Sequence, residues 1–135
     1  MNVQTVEQIR AETKKILASA LAFRDARANS QYETVIHEAK EFITHHYSEP
    51  DLGLNDVAAQ VNLSSSHFST VFSRETGETF IEYLTRIRIE KAKELLRTTS
   101  LKSFEIAYTV GYKDPHYFSS VFKKNTGFSP REFRS

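Results

Sequence analysis

Apolar residues recur at three- and four-residue intervals along most of the chain, the spacing of helices with one buried face. Over residues 3–29 the positions are Val6, Ile9, Thr13, Ile16, Ala20 and Phe23, a 3-4-3-4-3 series that reads as a heptad seam weakened by Thr13 and Ala20. Asn29-Ser30-Gln31 is expected to break it softly. A second helix follows with Val35, Ile36, Ala39, Phe42 and Ile43 on one face, ending near His45-His46-Tyr47. Ser48-Glu49-Pro50-Asp51 then reads as a turn, since the residue before proline resists helix and proline cannot continue one.

From residue 54 the pattern becomes short helix, tight turn, helix, and it occurs twice. In the first copy Leu54, Val57, Ala58 and Val61 line a helix of two turns. Asn62-Leu63-Ser64 makes the turn, Ser64 caps the next helix, Phe68, Val71 and Phe72 form its buried stripe, and Gly77 ends it. In the second, Phe104, Ile106, Ala107 and Val110 line the short helix and Gly111 makes the turn. Asp114-Pro115 supplies a cap and a first-turn proline, Phe118, Val121 and Phe122 form the stripe, and Gly127 is the stop. Phe128 and Phe133 are expected in the core with these stripe residues. Read forward, the copies are offset by 49 residues up to His67 and His116 and by 50 from Phe68 and Phe118 onward, which makes Tyr117 the inserted residue. Between them Thr79-Phe-Ile-Glu82 is a capping box opening a long amphipathic helix. Its stripe is Phe80, Tyr83, Leu84, Ile87, Ala92, Leu95 and Leu96, fading at Thr98-Thr99-Ser100.

The expected fold is therefore all-α: two helix-turn-helix subdomains joined by a long connecting helix, with an extra N-terminal linker helix. The expected boundaries are 1–30 for the linker helix and 31–135 for the domain. Within the domain the first helix-turn-helix covers about 54–77, the connecting helix about 79–98 and the second helix-turn-helix about 103–127. A helix of some 18 residues spans about 27 Å, near the roughly 34 Å between successive major-groove faces on one side of B-DNA.

Composition narrows the chemistry. With no cysteine there is neither a disulfide framework nor a thiolate metal site, which suits a reducing cytoplasm. No apolar run reaches the length of a membrane span. The net charge of +1 hides a gradient. Residues 1–63 carry six Lys/Arg against nine Asp/Glu, a balance of −3, and residues 64–135 carry twelve against eight, a balance of +4. The basic excess thus travels with the repeat. One histidine per repeat and the adjacent His45-His46, which point to different faces of a helix, do not make a metal site, and no cofactor is expected. No glycine-rich phosphate loop, paired carboxylates in a recognisable setting or nucleophile with a base at catalytic spacing supports an enzyme.

The two helix-turn-helix units, the linker Tyr83-Leu-Thr-Arg-Ile-Arg-Ile-Glu-Lys-Ala-Lys-Glu-Leu-Leu96 and the ordered string from Glu105-Ile-Ala through Val110-Gly-Tyr-Lys-Asp-Pro-His-Tyr-Phe-Ser119 to Gly127-Phe-Ser-Pro130 carry a resemblance. The region from about Val35 to Arg134 resembles the AraC/XylS-type DNA-binding domain. Ala22-Phe-Arg-Asp-Ala-Arg27 is similar to the linker of YesN-like response regulators, in which a receiver precedes this output domain. The resemblance implies seven helices in two subdomains, a role in transcription regulation, and double-stranded DNA as partner, with RNA polymerase as a further one. It also implies that the chain is the output part of a longer regulator.

On that reading the base-facing candidates are Ser66, Ser69 and Thr70 in the first recognition helix and His116, Tyr117, Ser119 and Ser120 in the second. Ser65, Arg74, Lys123 and Lys124 are the phosphate-contact candidates, and Arg131 and Arg134 stand either at phosphate or in solvent. Short hydroxylic side chains give no bidentate arginine–guanine readout, which moves the expectation toward water-mediated contacts, thymine-methyl packing and DNA shape. The alternative is a helical protein-interaction module that forms a homodimer through the 3–29 seam and does not bind DNA.

Overall fold

A computed structural model describes residues 22–135, with side chains from Tyr32 onward. Its elements are helices: α1 (Ala22–His46), α2 (Leu54–Gln60), α3 (Ser65–Thr76), α4 (Phe80–Thr98), α5 (Ser103–Thr109), α6 (Pro115–Thr126) and α7 (Pro130–Arg134). The break expected at Asn29-Ser30-Gln31 does not occur. The backbone of α1 runs helically through it, because three polar residues without Gly or Pro do not stop a helix. The 3–29 seam falls largely outside the described residues. The chain divides into two units, residues 1–35 and Ile36–Ser135, and the second holds both helix-turn-helix units.

Sequence sets the helix ends by capping. Ser64 accepts the His67 N–H at 3.1 Å, Thr79 accepts the Glu82 N–H at 3.1 Å, and Asp114 accepts the His116 N–H at 2.9 Å. Gly77 and Gly127 close α3 and α6 in the left-handed conformation, at φ 82° and 87°. Helix α4 is about 28 Å long and belongs to both subdomains. Its first half, with Phe80, Tyr83 and Leu84, is buried with Val57, Ala58, Phe68, Val71 and Phe72. Its second half, with Ile89, Ala92 and Leu96, joins a separate core of Ile106, Ala107, Val110, Tyr112, Phe118 and Phe122.

Three sequence expectations need correction. Phe104 and Phe128 are exposed, at 48% and 54%, instead of lying in the core. Phe133 is half-buried against the second core, as expected of it. The stripe of α4 also contains Arg88, only 7% exposed, and Ile89, neither of which was anticipated.

Candidate nucleic-acid interface

The two helix-turn-helix units correspond residue for residue when the copies are registered on their caps and turn hydrogen bonds. The N-cap residue of each first helix sits at offset 49: Gly53 N–H donates to Asp56 Oδ2 at 2.9 Å, and Lys102 N–H donates to Glu105 Oε1 at 2.8 Å. The turns keep offset 49, with Leu63 N–H donating to Ala58 O and Tyr112 N–H to Ala107 O. The second-helix caps, Ser64 and Asp114, are already at offset 50. The inserted residue is therefore Lys113, in the turn, and not Tyr117. His67 pairs with Tyr117, and His116 pairs with Ser66. The forward reading was misled because a histidine happens to lie at 67 and at 116.

Registered this way the duplication extends further than the sequence suggested. Thr79 and Ser129 are equivalent caps, each in a capping box with Glu82 or Glu132. The Tyr83 ring meets Phe72 edge-on at 5.5 Å and 76°, and the Phe133 ring meets Phe122 at 5.4 Å and 81°.

The apolar stripes turn the opposite faces of α3 and α6 outward. Ser66, Thr70 and Arg74 form the exposed ridge of α3, with His67 exposed beside it; His116, Ser120 and Lys124 form that of α6, with Tyr117 and Lys123 flanking. Ser69 and Ser119 are half-buried at the edge of each ridge. Ser65 is half-buried too, and its hydroxyl donates to Asn55 Oδ1 on α2, which fastens the two helices of the first unit. Of the basic candidates, Arg74 lies beside Glu75, its Nε 3.3 Å from Oε2, while Lys123 and Lys124 extend from the last turn of α6. Arg134 is committed inward, its Nε donating to Leu96 O at 3.1 Å and its Nη2 to Thr99 O at 3.0 Å, whereas Arg131 is exposed. His67 was missed as a member of the ridge; counting back from Gly77 and Gly127 would have found it.

Behind the ridges the charges are held by the scaffold. Glu78 accepts from Arg86 Nη2 at 2.6 Å, and this bond raises the Arg86 pKa. The Arg86 guanidinium also lies 5.0 Å from the Tyr83 ring centre, while burial pushes the Tyr83 phenol up. No group of three or more His, Cys, Asp or Glu suited to a metal ion, and no helix long and apolar enough to cross a membrane, occurs among the described residues.

Residues 57–135 match the helix-turn-helix domain family. The chain belongs to that family. Its relatives are of the AraC type. The arabinose operon regulatory protein of Escherichia coli is 38% identical over 100 residues, which cover 74% of this chain and 34% of that protein. The C-terminal domain of AraT, a response regulator from Geobacillus stearothermophilus, is 45% identical with a TM-score of 0.72, over 74% of this chain and 83% of that one. The DNA-binding domain of AdpA, solved in complex with a target DNA, is 25% identical with a TM-score of 0.70, over 73% and 88%. The chain spans about a third of the length of the E. coli regulator. The expected fold and the resemblance to AraC/XylS-type output domains are thus borne out, and the family is one of transcription regulators and not of enzymes.

Proposed function

We propose that this AraC-type domain binds double-stranded DNA sequence-specifically, laying α3 and α6 into successive major grooves on one face of the duplex. The observation that carries the reading is the pair of equivalent outward ridges, Ser66-Thr70-Arg74 and His116-Ser120-Lys124, each backed by an apolar stripe and held at either end of one helix about 28 Å long. Arg74, Lys123 and Lys124, at the distal ends, position the heads on phosphates; Ser66, His67, Ser69, Thr70, His116, Tyr117, Ser119 and Ser120 face the bases. Ser65 contributes by fixing α3 to α2, and its single hydroxyl proton reaches phosphate only by leaving Asn55 Oδ1. The protein acts in the cytoplasm as the output part of a response regulator, with RNA polymerase as a further partner and self-association through the N-terminal helix.

Selection from a pool of random duplexes at roughly 50 and 200 mM salt tests this. The expected result is a two-part motif with halves about 10 base pairs apart and affinity that falls by orders of magnitude between the two salts. Failure to bind at either salt would overturn the reading and favour the protein-interaction module.

A further inference from the structure

Helix α4 joins the two heads, but a single rod fixes their separation without fixing their rotation about it. No extensive packing joins α2 or α3 directly to α5, α6 or α7. The segment after α1, residues 47–51, leads into the first head and also lies against the second. The Tyr47 side chain packs on the second core. Arg88, buried midway along α4, donates from Nε to Tyr47 O at 2.7 Å and from Nη2 to Glu49 O at 2.9 Å. Its guanidinium also stands 5.2 Å from the ring centre of Tyr112, in the turn of the second head.

That turn is shaped to meet the segment. Gly111 has φ +109°, and a Cβ there would stand 2.7 Å from Tyr47 O and 2.8 Å from Arg88 Nε. Lys113, the residue the first copy lacks, reaches Asp51 Oδ1 at 2.6 Å from Nζ. The Tyr112 hydroxyl is buried without a hydrogen-bond partner of good geometry. The segment after α1, the middle of α4 and the turn of the second head thus meet at one place, and the Arg88 guanidinium on α4 touches both of the others. A lysine would offer one compact charge where two carbonyls wait in a fixed geometry.

We propose that Arg88, seated between the Tyr47–Glu49 carbonyls and the Gly111-Tyr112-Lys113 turn, is the positioning residue that sets the relative angle of the two reading heads and thereby the half-site spacing the domain accepts. The spacing consequence rests on the two-headed DNA reading; the angle does not. On this account Lys113 is the residue that brings the second turn to the junction, and the two heads differ in turn length because only one of them docks there.

The test has two readouts. The chain contains no cysteine, so spin labels on Glu75→Cys in α3 and Asn125→Cys in α6 report the head-to-head distance without other substitutions. Arg88→Met, which keeps an unbranched apolar stem and removes the donors, is expected to lose the single narrow distance of the parent. In selection from duplexes whose half-sites stand at variable separation, it is expected to accept several neighbouring spacings and to bind the best two-part site at least about tenfold more weakly, with half-site binding unchanged. Arg88→Lys should fall between the two.

An Arg88→Met protein that keeps both the narrow distance and the single spacing overturns the proposal. Should that variant fail to fold, deletion of the exposed Lys113, which restores the turn length of the first head, is expected to shift both the distance and the preferred spacing; unchanged values overturn the proposal equally. A parent protein that enriches no two-part site defeats the DNA reading and the spacing consequence, and the label distances then decide the angle alone.

Discussion

The two heads share a skeleton and differ in skin. Phe68 and Phe118, Phe72 and Phe122, Tyr83 and Phe133, Gly77 and Gly127, and the capping boxes of Thr79 and Ser129 repeat nearly unchanged. Outward positions do not: Ser66-His67-Thr70-Arg74 stand where the second head has His116-Tyr117-Ser120-Lys124. Asn55 and Ala59 of α2 stand where α5 presents Phe104 and Tyr108, an exposed edge-on pair at 6.3 Å. Packing constrains shape and volume, so it holds the core positions alike, while the ridges are free to differ. Two heads of one shape and two surfaces can read two different half-sites, so a direct repeat in the DNA is not required.

The largest way to break the comparison is to empty the cores. Phe72→Ala and Phe122→Ala should each cost about 3–5 kcal/mol in urea denaturation. Phe72 rests on Tyr83, held by a 19-residue helix, whereas Phe122 rests on Phe133 in the five-residue α7, which can settle into the cavity. Phe72→Ala is therefore expected to be the more costly, and the reverse order would mean that α7 is held as firmly as α4. The turns sharpen the comparison next. Asn62 (φ 60°) and Gly111 (φ 109°) are equivalent left-handed positions, but only Gly111 abuts backbone and Arg88. Gly111→Ala should cost about 1–2 kcal/mol for the backbone and about 1–3 kcal/mol more for crowding. Asn62→Ala should cost the first part at most, and thermal denaturation of the two variants distinguishes them.

Helix order, ends and the duplicated unit were legible because caps and stop signals are local: Ser64, Thr79, Asp114-Pro115, Gly77 and Gly127 act within a turn of themselves. Burial of single aromatics was less so, since periodicity cannot say how wide a buried stripe is. The repeat could have corrected this. Phe128 stands where the first copy has Glu78 and Phe104 where it has Asn55, both polar positions. Arg88 lies on the 80-84-88-92-96 line of α4 and was passed over because a cation there contradicts the apolar pattern. Its carbonyl partners lie 39 and 41 residues away, beyond any local signal. The register of the candidate site failed for a related reason. Identity of two histidines outweighed the cap position, although the cap is what fixes which residues of a recognition helix point outward.

On DNA, Arg74 and Lys124 are equivalent, and each →Ala variant is expected to lower the slope of log K against log salt by about 0.9, with the two changes adding. Unequal slopes would show that Glu75, 3.3 Å from Arg74 Nε, withholds that cation from phosphate. The smallest expected effect concerns the last cap. Glu132 accepts the Ser129 N–H at 2.8 Å, and that bond holds its carboxyl below the usual glutamate range, with the Ser129 side chain adding to the shift. A carboxyl whose pKa is lower folded than unfolded adds stability above the unfolded value and loses it as pH falls through the folded one. Protonation of Glu132 should therefore loosen the start of α7 while leaving α6 intact, visible as a pH-dependent shift of the Ser129 amide in NMR spectra. Because Arg134 ties the far end of α7 to Leu96 O and Thr99 O, the helix should fray from its cap and stay attached at its end. An Arg134→Ala background, in which that tie is gone, should carry the acid-induced change through to the Phe133 ring and its contact with Phe122.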